Sequence, residues 1–125
     1  MVNSRDVYFK INNLKRLVET KYLSGNRVNY FAVNLNESDE HRNLKFKVFV
    51  ELVKKDFEVY TEITFKDGNR PDILAFNKKT GEGYIFEIVN SESEESVKSK
   101  YCKYDINFEL FFIYTNKPLE IQLTI

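Results

Sequence analysis

Two tight turns inside a β-rich stretch restrict this chain more than any other feature. Residues 58–92 read EVYTEITFKDGNRPDILAFNKKTGEGYIFEIVNSE. Lys66-Asp67-Gly68-Asn69 and Thr80-Gly81-Glu82-Gly83 are turn signals, because Gly supplies positive φ and Asn and Asp hydrogen-bond to their own backbone. They cut the stretch into three short strands, over 58–65, 71–76 and 84–89. The first alternates through Val59, Thr61, Ile63 and Phe65 and is rich in β formers. Strands this close in sequence pair as a meander. Each carries an acid: Glu62, Asp72 and Glu87. Asp72 and Glu87 stand among Ile, Leu, Phe and Val, where a lone carboxylate is costly unless paired or metal-bound. Three carboxylates on adjacent strands point to a divalent-metal site.

The flanks complete an α/β pattern. Val7, Ile11, Leu14 and Val18 follow helical spacing and predict a helix over 4–23, capped by Ser4. Its basic residues Lys10, Lys15 and Lys21 lie off that stripe and form either a solvated face or a phosphate-contacting arm. Tyr30 and Phe31 suggest a strand over 28–35. Asn36 or Ser38 caps a helix running to about residue 55, with Leu44, Val48 and Leu52 as its core stripe. Glu40 and His41 sit at the N-terminal end of that buried face, as helix-start residues or, for Glu40, as a further site acid. Ser91 caps a helix over 92–104, acidic first and basic later, as the helix dipole favours. Residues 109–114 (ELFFIY) are a buried strand, and 119–125 alternate as a last edge strand. The helix after the third strand permits a parallel crossover to the fourth.

Length and composition fit one domain, here 125 residues with 42% apolar and 30% charged side chains. No apolar run approaches the roughly 18–20 residues that span a bilayer. The opening MVNSRDVYFK lacks a signal-peptide core, so a cytoplasmic location is expected. The single cysteine, Cys102, excludes an intrachain disulfide and a cysteine zinc site, and reads as a packing residue. With one histidine, any metal is held mainly by oxygen, which suits Mg²⁺ or Mn²⁺. Net charge is zero, but residues 1–36 hold six basic side chains against two acidic, and residues 37–125 hold thirteen against seventeen. An acidic metal pocket beside a basic arm has this asymmetry, and so does a chance distribution on a short chain.

From residue 37 to 114 the pattern resembles the PD-(D/E)xK nuclease superfamily, with its restriction-endonuclease-like αβββαβ core of a mixed central sheet flanked by helices. An N-terminal helix precedes that core here. Pro71-Asp72 resembles the PD motif, and Glu87, fifteen residues downstream, the acid of (D/E)xK. Glu62 and Glu40 resemble extra acids of several branches. The motif's lysine position holds Val89, and some branches supply that lysine from the following helix, which makes Lys98 and Lys100 candidates. The resemblance implies an Mg²⁺- or Mn²⁺-dependent endonuclease acting on DNA, with RNA as another substrate and a homodimer as its assembly. Asp72, Glu87 and Glu62 would bind metal, and Glu40 with Lys98 or Lys100 would assist. The alternative is a catalytically inactive protein of the same fold that binds nucleic acid or a protein partner.

Overall fold

The computed structural model describes residues 3–23, 27–90, 96, 97, 99 and 103–123. Helix α1 spans Ser4–Lys15, helix α2 Asp39–Lys54, and strands β1 to β4 span Phe57–Thr61, Ile73–Asn77, Gly83–Val89 and Phe108–Tyr114. A last short helix, α3, covers Leu119–Gln122. The strands form one mixed sheet in the order β1-β2-β3-β4. β1 and β3 flank β2 antiparallel, and β4 runs parallel to β3. The chain is therefore an α/β domain, with the meander and the parallel fourth strand that the turns and crossover imply.

Both faces of the sheet are covered, and alternation along the strands assigns the faces. On one face Val59, Ile73, Ala75, Tyr84 and Phe86 pack under Val48, Phe49 and Leu52 of α2. On the other, Tyr60, Leu74, Phe76, Ile85 and Phe108 pack against Leu14 and Val18 from the α1 side. β3 is buried at all seven positions because it has a neighbour on each edge and a layer on each face. Gly83 lets α1 come close: a Cβ there would stand 2.7 Å from Leu14 Cδ1 and 2.8 Å from Phe108 Cδ1.

Several strand ends shift by one or two residues and Asn3, not Ser4, caps α1, while four larger departures from the sequence expectation each have a local reason. α1 ends at Lys15 rather than at residue 23. Leu17 and Glu19 instead make ladder bonds with the segment after β1, Lys66 N–H to Leu17 O at 2.7 Å and Glu19 N–H to Thr64 O at 3.0 Å. Residues 28–35 do not form a strand. Asn29 takes a left-handed φ of 55°. Its N–H donates to Val59 O at 2.8 Å and its Oδ1 accepts from Val59 N–H at 2.9 Å, so an amide side chain covers the β1 edge. β1 stops at Thr61 because Glu62 is left-handed too, with φ 53°. Residues 119–122 form α3, not an edge strand. Pro118 sets φ −60° at its start, and the Gln122 amide pairs with both Tyr114 N–H and Tyr114 O, as a neighbouring strand would.

Of the crossover helix expected over 92–104, Ser96, Val97 and Ser99 are helical, and Lys103 and Tyr104 already lie outside it. Lys98, Lys100 and Cys102 lie outside the described residues. Among the described residues no helix is long and apolar enough to cross a membrane.

Candidate metal centre

The site forms where α2 begins and where β1 ends and β2 starts. Ser38 caps α2, its hydroxyl accepting from His41 N–H at 3.1 Å. That cap fixes the first turn, and successive residues of one helical face then point at the sheet. They are His41, Lys45, Val48 and Leu52, at spacings of four, three and four. The face starts polar and turns apolar. Glu37, just before the cap, is held in place by its own carbonyl, which accepts from Arg42 Nη1 at 3.1 Å. Arg42 also reaches Asn34 O at 3.3 Å and pairs with Asp39.

Lys45 is the centre of the cluster. Its side chain is 1% exposed, yet it carries an ammonium group. Nζ donates to Glu62 Oε1 at 2.6 Å and to Glu37 Oε1 at 3.0 Å. Burial alone would lower its pKa, but the bonds to Glu62 and Glu37 outweigh that and raise it, so Lys45 stays protonated. Glu62 is pinned on its other oxygen by Arg70 Nη2 at 3.2 Å. Its left-handed backbone conformation is costly for a residue with a Cβ, and it turns the carboxylate out of the β1 ladder toward both cations.

Asp72 and Glu87 meet one residue beyond the last β2–β3 pair, Ile73 with Phe86. Ile88 N–H donates to Asp72 Oδ2 at 2.7 Å, and Asp72 N–H donates to Glu87 Oε2 at 3.4 Å. Glu87 is 3% exposed and its Oε1 accepts from the Tyr104 hydroxyl. Desolvation and the Glu87 charge push the Tyr104 phenol far up, so it remains the donor. Asp72 Oδ1 faces His41 Nε2 at 3.3 Å, and Glu37 Oε1 lies 3.7 Å from the same nitrogen. Burial raises the Asp72 carboxyl, but bonds to His41, Glu87 and the Ile88 N–H bring it below its ordinary value. Asp72, then Glu37, raise the His41 pKa against burial and the Lys45 charge.

Glu37, His41 and Asp72 each offer a ligand atom within 4.8 Å of the other two, the one such trio among the described residues. A cation with bonds of about 2.1 Å places neighbouring ligand atoms roughly 3.0–3.4 Å apart, close to the contacts seen here. Glu37 Oε2 and His41 Nε2 are buried without a hydrogen-bond partner among the described residues. Glu37 Oε2 is a buried acceptor that a cation would satisfy, and a metal would replace the proton that His41 Nε2 shares with Asp72, so this donor set can hold a metal.

The acids read from sequence are thus brought to one end of the sheet but not to one point. Asp72 belongs to the trio. Glu87 supports it from behind, and Glu62 shares Lys45 with Glu37 and lines the same pocket as Asp72 without joining the trio. Glu40 is exposed and lines a separate groove of about 670 Å³ with Lys47, Glu51 and Lys117. His41, one residue on, takes the inward position. Val89 is 1% exposed within β3 and carries no charge to the site. Sequence reasoning missed Glu37 and Lys45, and gave His41 a surface or capping role. The signal for Lys45 was present: a lysine four residues before Phe49 and three before Val48 occupies an apolar stripe position. Compared with protein-family models, curated proteins and solved structures, the chain finds no match, so the reading rests on its own residues.

Proposed function

We propose that this protein is a metal-dependent nuclease that hydrolyses phosphodiester bonds in DNA on a restriction-endonuclease-like core. The observation that carries the reading is Lys45. A nuclease site of carboxylates needs a fixed cation beside them, and α2 supplies from the helix the charge that Val89 cannot supply from the strand. Glu37, His41 and Asp72 would hold the metal, and Glu87 positions Asp72 through its backbone N–H. An imidazole in the set favours Mn²⁺ over Mg²⁺, which prefers oxygen and keeps its waters. A bound divalent ion would neutralise phosphate charge and make its water more acidic.

The chain's own residues do the rest. Lys45 holds Glu37 and Glu62 in one geometry and sets a positive charge beneath the pocket, without titrating near neutral pH. Glu62 faces that pocket, which it shares with Asn34, Glu37, Ile63, Arg70, Pro71 and Asp72. Its Oε2, which pairs with the exposed Arg70 and not with Lys45, is the oxygen that would accept a hydrogen bond from an attacking water once Arg70 turns to substrate. The test is cleavage of supercoiled plasmid and of single-stranded DNA with Mn²⁺ or Mg²⁺. Activity with Mn²⁺ that Asp72→Asn and Lys45→Met each abolish supports the reading. Absence of cleavage by a folded, metal-binding protein contradicts it.

One observation favours a second reading, a nuclease-fold protein that binds without cutting. Both Glu87 oxygens already accept hydrogen bonds, from Tyr104 and from Asp72 N–H, so the second motif acid serves to hold Tyr104 and the start of β2 against β3. Metal-dependent DNA binding without cleavage is its expected result.

A further inference from the structure

We infer that Arg70 is the phosphate-binding residue of this site, gripping a DNA-strand phosphate at the mouth of the metal pocket. The inference rests on the nuclease reading for the identity of the anion. Arg70 lines the pocket formed with Glu37, Glu62 and Asp72, and its side chain is 58% exposed. The other cations at the site are committed elsewhere. Lys45 is buried between two carboxylates, His41 lies between Glu37 and Asp72, and Arg42 ties down Asn34 O, Glu37 O and Asp39.

The Arg70 ion pair is also built for exchange. Glu62 Oε2 receives Arg70 at 3.2 Å while Glu62 Oε1 keeps Lys45 at 2.6 Å. If a phosphate takes the guanidinium, Glu62 still has a buried cation, so nothing is left unpaired. A planar guanidinium presents parallel N–H donors that match two phosphate oxygens.

The backbone beneath Arg70 is firmly tied. Phe65 N–H donates to Asn69 O at 2.8 Å, and Asn69 Nδ2 donates to Lys103 O at 2.8 Å. Pro71 is buried and restricts the preceding residue to extended conformations. The β1–β2 connection therefore offers the arginine from a hydrogen-bonded backbone.

The experiment is fluorescence anisotropy with a short fluorescein-labelled single-stranded DNA and Ca²⁺, across a salt series. Arg70→Ala should weaken binding several-fold at low salt and lower the slope of log K against log salt by about 0.7, one phosphate contact on a single strand. Arg70→Lys should keep the slope with intermediate affinity, because it keeps the charge and loses the fork. The melting temperature of both variants should match the parent. An Arg70→Ala protein with the parent's affinity and slope overturns this inference alone. So does a drop in affinity that comes with a lower melting temperature and an unchanged slope, which marks a structural residue. A parent protein that does not bind the oligonucleotide at all overturns both this inference and the nuclease reading.

Discussion

The buried face of α2 has two halves that meet the same sheet with opposite chemistry. In the C-terminal half, Val48, Phe49 and Leu52 lie on Val59, Ile73, Ala75 and Tyr84. In the N-terminal half, His41 and Lys45 lie among Glu37, Glu62 and Asp72. Lys45 is as deeply buried as Leu52. Hydrocarbon burial of Leu52 contributes about 1.5–3 kcal/mol. A buried ammonium contributes little net stability even when well paired, since desolvation offsets its Coulombic gain. The apolar half therefore holds the fold together, and the ionic half is retained for what its charges do.

Breaking the ionic half should give the largest effect. Lys45→Ala leaves Glu37 and Glu62 facing each other without their shared cation. The expected cost is about 3–5 kcal/mol in urea unfolding, together with a loss of about 10²–10³ in the proposed nuclease activity. Lys45→Met combined with Glu62→Gln should recover part of the stability and none of the activity; recovery of both would show that Lys45 is only a structural ion pair. Leu52→Ala should cost about 2–5 kcal/mol in the same assay while leaving Mn²⁺ affinity at the parent value. A large loss of metal affinity there would mean the two halves are not separable.

His41→Gln should matter for metal rather than for folding. Partners outside the coordination sphere change metal affinity about 10–100-fold, so loss of a direct ligand should weaken Mn²⁺ by at least about 100-fold by calorimetry. The smallest effect is in pH. The His41 pKa is raised from 6.5, so its contribution to the metal-free protein is complete below 6.5 and fades as pH rises through the raised value. The Asp72 pKa is lowered from 3.8, so its contribution is complete above 3.8 and fades as pH falls through the lowered value. The stability difference between the parent and His41→Gln should therefore be greatest at mildly acid pH and shrink toward alkaline pH. A difference that grows with pH would contradict the His41–Asp72 pairing.

The sheet was legible because its determinants are local. Gly68 and Gly81 take φ of 92° and 81° in the two turns, and the strand between them, β2, pairs antiparallel with the strand before and the strand after it. The start of α2 follows from the same kind of signal, and of the two caps it offered, Asn36 and Ser38, the structure uses Ser38. The edges were harder to read. Tyr30 and Phe31 have strand propensity, but Asn29 covers the β1 edge with its side chain. Gln122 does the same for β4, and an amide that imitates a strand leaves no alternating pattern. Asp72 and Glu87 were visible as acids out of place in apolar strands. Glu37 was not, and the signal for Lys45, its spacing to Val48 and Phe49, gains meaning only once the rotation of α2 over the sheet is known. A stripe read through Leu44, Val48 and Leu52 puts Lys45 at its margin. Seating the helix through His41, Lys45, Val48 and Leu52 puts that lysine at the centre.

The most direct test of the account is electron spin-echo spectroscopy of the protein loaded with one equivalent of Mn²⁺. Coordination by Glu37, His41 and Asp72 predicts modulation from one imidazole nitrogen, lost in His41→Gln and retained in Arg70→Ala. The spectrum of free aqueous Mn²⁺, unchanged by added protein, would contradict it.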